Sequence, residues 1–193
     1  IIKSILALIR NGSNVNSYKL VWAKAIVEIS LEQPGITNIS LQEIAKKVFK
    51  YYWNQTIYFD LSQGNNPNKR PEFVQIVRNK IEEYYSIIGD RQPVHFEKVE
   101  TEISLNLKKL ESILKKDVSW RFLNLGNETY DIYKYKKGDS EIVLSESKTI
   151  AEFSDILHES INYKWTQILE SFNNVPRIAK KVRILDFDKI KRK

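Results

Sequence analysis

The stretch 149–172 constrains this chain more than any other, because its apolar residues recur at Ile150, Phe153, Leu157, Ile161, Trp165, Ile168 and Phe172. Those steps of three and four average about 3.67 residues, the period of a straight helix buried along one stripe, whereas a left-handed coiled coil needs 3.5. The pattern predicts a core helix and not a dimerising zipper. Thr149 followed by Glu152 has the spacing of a capping box, and Asn173-Asn174 with Pro176 beyond reads as a stop. A rod of this length spans about 35 Å, the width of a small domain. The other elements are expected to pack around it.

Elsewhere, helical periods alternate with turn residues. Residues 1–9 read as a short amphipathic helix, since Lys3 and Arg10 interrupt the apolar run and no cleavage site for a signal peptide follows. Asn16 or Ser17 can cap a second helix over 18–30, which is apolar on more than one face and so should be central. Pro34-Gly35 turns the chain, and Ser40 with Glu43 forms a second capping box, with Ile39 and Ile44 as its staple. The helix that follows is expected to end in Tyr51-Tyr52-Trp53, a cluster that fits core packing on the stripe Leu41, Ile44, Val48 and Tyr52 better than base stacking. A loop over 61–70 leads to Pro71 as the first residue of a fourth helix that stops at Gly89. One continuous helix is expected over 96–116, its Lys108-Lys109 and Lys115-Lys116 pairs facing outward as a solvated face, then a helical turn at 120–123. The strand signal is Tyr130, Ile132, Tyr133 and Tyr135, then Lys137-Gly138-Asp139, then Ile142 and Leu144, a hairpin too small to stand without helices beneath it. The predicted fold is mainly α: a multi-helix single domain around one long core helix (149–172), with one small β-hairpin (129–145).

Composition narrows the chemistry. The chain has no cysteine, which removes thiolate catalysis and Cys-ligated zinc. No run approaches the ~20 apolar residues of a membrane span, so a soluble, cytoplasmic protein with no membrane partner is expected. The net charge of +7 is concentrated at one end. Up to residue 172 acids and bases nearly cancel; beyond it Arg177, Lys180, Lys181, Arg183, Lys189, Lys191, Arg192 and Lys193 face only Asp186 and Asp188. Pro176 is expected to open a last short helix through Leu185. Such a segment suits phosphate contacts, or serves as a solvated helix end and linker. The organisation expected is therefore a helical domain at 1–176 and a basic helix or linker at 177–193.

Catalytic signals are sparse. Neither His95 nor His158 has ligands at a repeating metal spacing, Asp155, His158 and Glu159 reading as ordinary helix surface, and there is no phosphate-cradling glycine loop, nucleophile elbow or kinase signature. Residues 142–148 form an apolar strand ending in Glu146 and Lys148, with Asp131 and Asp139 upstream. This resembles the half-motif of PD-ExK nucleases, which would make Asp131 and Glu146 metal ligands and Lys148 the residue assisting the attacking water. A chain this rich in acids and lysines holds about three Glu-x-Lys or Asp-x-Lys triplets by chance, the proline expected before the Asp is absent, and the plainer reading is a polar connector.

Several stretches together are more specific. Asn16-Ser17-Tyr18-Lys19-Leu20 opens a helix, Tyr51-Tyr52-Trp53 closes another, and Pro71-Glu72-Phe73-Val74 begins a third. Tyr163-Lys164-Trp165, Leu169-Glu170, Phe172-Asn173 and Pro176-Arg177-Ile178 complete the set. In these the chain resembles the helical N-terminal region of bacterial HNH endonucleases of the restriction and defence type. The resemblance implies a non-catalytic domain that binds or positions DNA for a nuclease module in cis. That module would carry the divalent metal, so no catalytic residue, metal ligand or cofactor is assigned to this chain. Phosphate contacts are expected from Arg177, Lys180, Lys181 and Arg183, with Asn16, Tyr18 and Lys19 as a second group. The rival expectation, from the near-neutral body and its many aromatics, is a helical interaction domain that forms a homodimer or holds a partner protein.

Overall fold

The computed structural model describes residues 1–175, and among them the chain is mainly helical, with two small antiparallel sheets. The helix at the centre is α2, Tyr18–Glu32, which follows a short α1, Ile2–Asn11. Eleven of the fifteen residues of α2 are buried, from Tyr18 and Trp22 to Ile29 and Ser30. A helix apolar on every face has no solvent side to offer and must be enclosed. Here α1, α3 (Leu41–Phe59), α7 (Ser147–Glu152) and α8 (Ser154–Asn173) enclose it.

The long helix expected at 149–172 is thus two, α7 and α8, joined at Phe153, whose φ of −99° and ψ of 17° interrupt the helical run. Buried positions run Ser147, Ile150, Ser154, Leu157, Ile161, Trp165, Thr166 and Leu169. The inward place that the apolar period assigned to Phe153 belongs to Ser154, and the Phe153 ring is 39% exposed. Thr149 lies inside α7 and caps nothing; Glu146 precedes the helix without a side-chain cap bond. The far end matches its signal, because Asn174 takes the left-handed conformation that ends a helix.

Other boundaries follow local chemistry. The Ser40 hydroxyl accepts the Glu43 N–H at 3.1 Å and starts α3, which runs through Tyr51-Tyr52-Trp53 to Phe59, so the cluster lies mid-helix and in the core. Pro71 immediately precedes α4, Glu72–Ile88, and Gly89 closes it with a φ of 74° that L side chains avoid. The single helix expected over 96–116 is split into α5, Phe96–Val99, and α6, Leu107–Asp117. Asn106 accepts the Lys109 N–H at 3.0 Å, a local bond that favours a new start over continuation.

The expected hairpin is β4, Tyr133–Lys134, against β5, Glu141–Leu144, with Tyr133 opposite Leu144. It is not alone. A strand β1, Asn38–Ser40, pairs with the other edge of β5, setting Ile39 opposite Ile142 with both fully buried. A second, two-residue pair links β2, Asn124–Leu125, to β3, Glu128–Thr129. Tyr133 ties the sheet to the helical core: its hydroxyl accepts the Trp22 indole N–H at 3.1 Å and donates to the Ser119 carbonyl at 2.6 Å. Among the described residues no helix is long and apolar enough to cross a membrane.

Candidate nucleic-acid interface

The first turn of α2 and the last turn of α8 meet on one loop. Ser17 N–H donates to the Gln63 carbonyl at 3.0 Å, Asn65 N–H donates to the Val15 carbonyl at 3.0 Å, and Asn16 bridges Gly64. From the other side the Asn173 side chain clasps Ser62, accepting its N–H at 2.7 Å and donating to its carbonyl at 3.0 Å. Beneath this joint the Ser17 hydroxyl donates to Gln63 Oε1 at 2.8 Å, which leaves it to accept from the Tyr52 hydroxyl, while the Trp165 indole N–H also reaches Gln63 Oε1 at 3.0 Å. The start of α2, which carries Asn16, Tyr18 and Lys19, and the end of α8 are therefore held on one loop. Arg177, Lys180, Lys181 and Arg183 themselves, with the whole of 177–193, lie outside the described residues.

The nearer group divides. Asn16 accepts the Tyr18 N–H at 3.1 Å, which makes it a local cap of the α2 start. Tyr18 is buried, its ring against Tyr52 and Phe73, and its hydroxyl accepts the Phe73 N–H at 2.9 Å. Burial pushes its hydroxyl pKa up. A phosphate in solvent has no access to that oxygen, so the surface contact expected of Tyr18 gives way to a packing role. Lys19 is half-buried, its stem passing Gly12. Its pKa is lowered first by burial and then by the charge of Arg121. Two cations near enough to repel are thus held together, and among the described residues neither has an ion-pair partner.

Arg121 belongs to a surface that sequence reasoning missed as a site. Lys108, Lys109, Ser112, Lys115 and Lys116 share the outer face of α6, because their separations of three, four and seven residues return to one side of a helix. From Lys108 to Lys116 the ridge is about 12 Å long. Lys109 is paired with Glu72 at 2.7 Å and Lys115 with Glu111 at 2.7 Å, whereas Lys108 and Lys116 have no such partner among the described residues. Lys115 also donates to the Gly138 carbonyl at 3.1 Å, which brings Lys136 and Lys137 of the β4–β5 turn to the side of the ridge. At its C-terminal end the chain turns through Trp120 and Arg121, both exposed, with the guanidinium 4.8 Å from the indole centroid. The available signal was the repetition of a lysine doublet after seven residues; what joins the doublets to Lys19 is tertiary.

The residues weighed for metal catalysis are placed differently. Ser145 N–H donates to the Ile132 carbonyl at 3.3 Å, so Asp131 and Glu146 flank that bond on neighbouring segments. Lys148 has moved on to α7, with its stem against Gly35. Among the described residues no three His, Asp or Glu side chains gather as a metal-holding group. His95 precedes α5 and lies 5.0 Å from the Tyr58 ring, and His158 is partly buried on α8.

No family model, curated protein or solved structure matches the chain. What stands for function is the arrangement itself: a closed aromatic core, and at its surface a lysine-rich ridge, partly balanced by Glu72 and Glu111, ending in an exposed aromatic.

Proposed function

We propose that this chain is a non-catalytic DNA-positioning domain, the helical N-terminal arm of an HNH-type restriction or defence endonuclease, acting in the cytoplasm for a nuclease module in cis. The observation that carries its DNA-binding part is the α6 ridge with Lys19 and Arg121: among the described residues Lys19, Lys108, Lys116 and Arg121 form no close ion pair, although Glu72 and Glu111 lie near enough to feel Lys116 and Lys108. Such charges attract the phosphate backbone without reading sequence. A ridge of about 12 Å covers about three phosphates of one strand. The HNH attribution is supported by the sequence resemblance, and in sequence the basic segment from Arg177 onward follows closely on Asn173, the residue that clasps Ser62.

The test is fluorescence anisotropy on a labelled duplex across a salt series. Residues 1–193 are compared with a truncation ending at Asn174 and with a variant in which Lys108, Lys109, Lys115 and Lys116 are all replaced by Gln. Binding is expected to weaken with salt, and each lost phosphate contact lowers the log–log slope by about 0.9. Absence of binding at low salt would remove the proposal.

A second reading has its own observation. The outer face of α8 exposes Ile156 and Tyr163, the latter 66% accessible, beside Phe153. Apolar side chains there favour a helical interaction domain that forms a homodimer or holds a partner protein. Light scattering with and without DNA separates the two, since a pure association module is a dimer indifferent to DNA.

A further inference from the structure

We propose that Trp120 and Arg121 form a stacking shelf for an unpaired base, with Lys19 and Lys116 taking the phosphates on either side, so that this surface prefers single-stranded or frayed nucleic acid to an intact duplex. The inference rests on the nucleic-acid reading above and specifies its ligand.

The contrast among the four tryptophans is its starting point. Trp22, Trp53 and Trp165 are at most 2% exposed, each with its indole N–H bonded inside the fold. Trp120 is 39% exposed. It does not sit on a loose loop. Its neighbours Val118, Ser119, Phe122 and Leu123 are all buried, so that within 118–123 only Trp120 and Arg121 face outward. Phe122 lies parallel to Tyr133 at a centroid distance of 6.3 Å, and the Ser119 carbonyl accepts a hydrogen bond from the Tyr133 hydroxyl. The Trp120 carbonyl accepts from Asn124 Nδ2 at 2.8 Å, and its indole N–H reaches the Lys116 carbonyl at 3.3 Å.

The indole is therefore displayed from a turn anchored in the core, with its edge tied to the end of α6 and a guanidinium packed on its ring. A flat aromatic held this way loses little freedom when a second flat ring stacks on it. Cations lie near it, with Asp117 on the same segment: Arg121 at the ring, Lys116 one helical turn back, and Lys19 close enough to Arg121 to feel its charge. Sequence-tolerant binding of single strands combines these two components, a positively charged track and aromatic faces for bases. An intact duplex keeps its base faces inside the stack and can use only the first.

The experiment measures anisotropy of the full chain with a labelled oligothymidylate of about 20 nucleotides, longer than one domain covers, and with a blunt duplex of the same length. Wild type is expected to bind the single strand more tightly. Trp120→Ala should lose about tenfold on the single strand and less than about twofold on the duplex. Trp120→Phe keeps a stacking face and should retain most of the affinity, which separates a lost contact from a damaged fold. Equal losses on both ligands, or no loss on the single strand, overturn the shelf while leaving the DNA-positioning reading intact. Failure of wild type to bind either ligand overturns both.

Discussion

Glu28 shares one carboxylate among the Lys47 ammonium at 2.9 Å, the Lys50 ammonium and the Tyr51 hydroxyl, and Lys47 continues to Glu32 at 2.6 Å. Burial alone would raise its pKa. The Lys50 charge and the three hydrogen bonds outweigh burial and hold it at about 2, against 4.5 for the free side chain. A depressed folded pKa means stability that is present in full above about pH 5 and lost as pH falls from 4.5 toward 2, at most about 3 kcal/mol. Chemical unfolding between pH 7 and pH 2 should show that loss. Glu28→Gln should flatten it and cost about 2 kcal/mol at neutral pH, because two lysines and a tyrosine are left facing a neutral amide. A variant as acid-sensitive as wild type would place the effect in other carboxylates. Deeper in the same layer Lys24, 3% exposed, donates to Asn162 at 3.1 Å and lies above the Tyr51 and Trp165 rings, so α2, α3 and α8 share one polar seam.

The clasp of Asn173 on Ser62 couples the end of α8 to the loop that also holds the start of α2. Asn173→Ala strips both backbone groups of Ser62 of their partner and should cost about 1 to 3 kcal/mol. Amide exchange at Ser62 and Asn65 should accelerate before that of the helices. Unchanged protection there would show that the loop is held by Gln63 and Gly64 alone. The clasp also illustrates which features were legible in sequence. Helix ends written in a few adjacent residues appear where expected: Ser40 with Glu43, Pro71, Gly89, Asn174. Features set by a distant partner do not. The break at Phe153 depends on which residue faces the core at that level, and Ser154 takes the place a period count gives to the ring. The strand β1 is three residues long and exists because β5, about a hundred residues later, offers it an edge. The candidate surface was half legible for the same reason. Lysine doublets seven residues apart announce a helix face, but Tyr18 reads as a surface aromatic until its hydroxyl is found under Phe73, and nothing local marks which side chains of the turn at 120–123 face outward.

Among the described residues the buried apolar side chains form one cluster that runs from Ile5 through Trp22, Trp53 and Ile142 to Leu169. A single core should unfold in a single step. Far-UV dichroism and tryptophan fluorescence, with three of the four indoles in that core, should give coincident denaturation curves for the full chain. Separated curves would mean that α4 to α6 melt apart from the rest. The central position of α2 has a further consequence for the order in which the protein is made. Lys24 meets Asn162 across 138 residues and Trp22 meets Tyr133 across 111, so the most apolar helix leaves the ribosome long before α7 and α8 exist to cover it. At cellular synthesis rates that interval is on the order of ten seconds. During it the nascent chain carries an uncovered hydrophobic helix, a natural substrate for chaperones that hold such segments until the covering helices emerge.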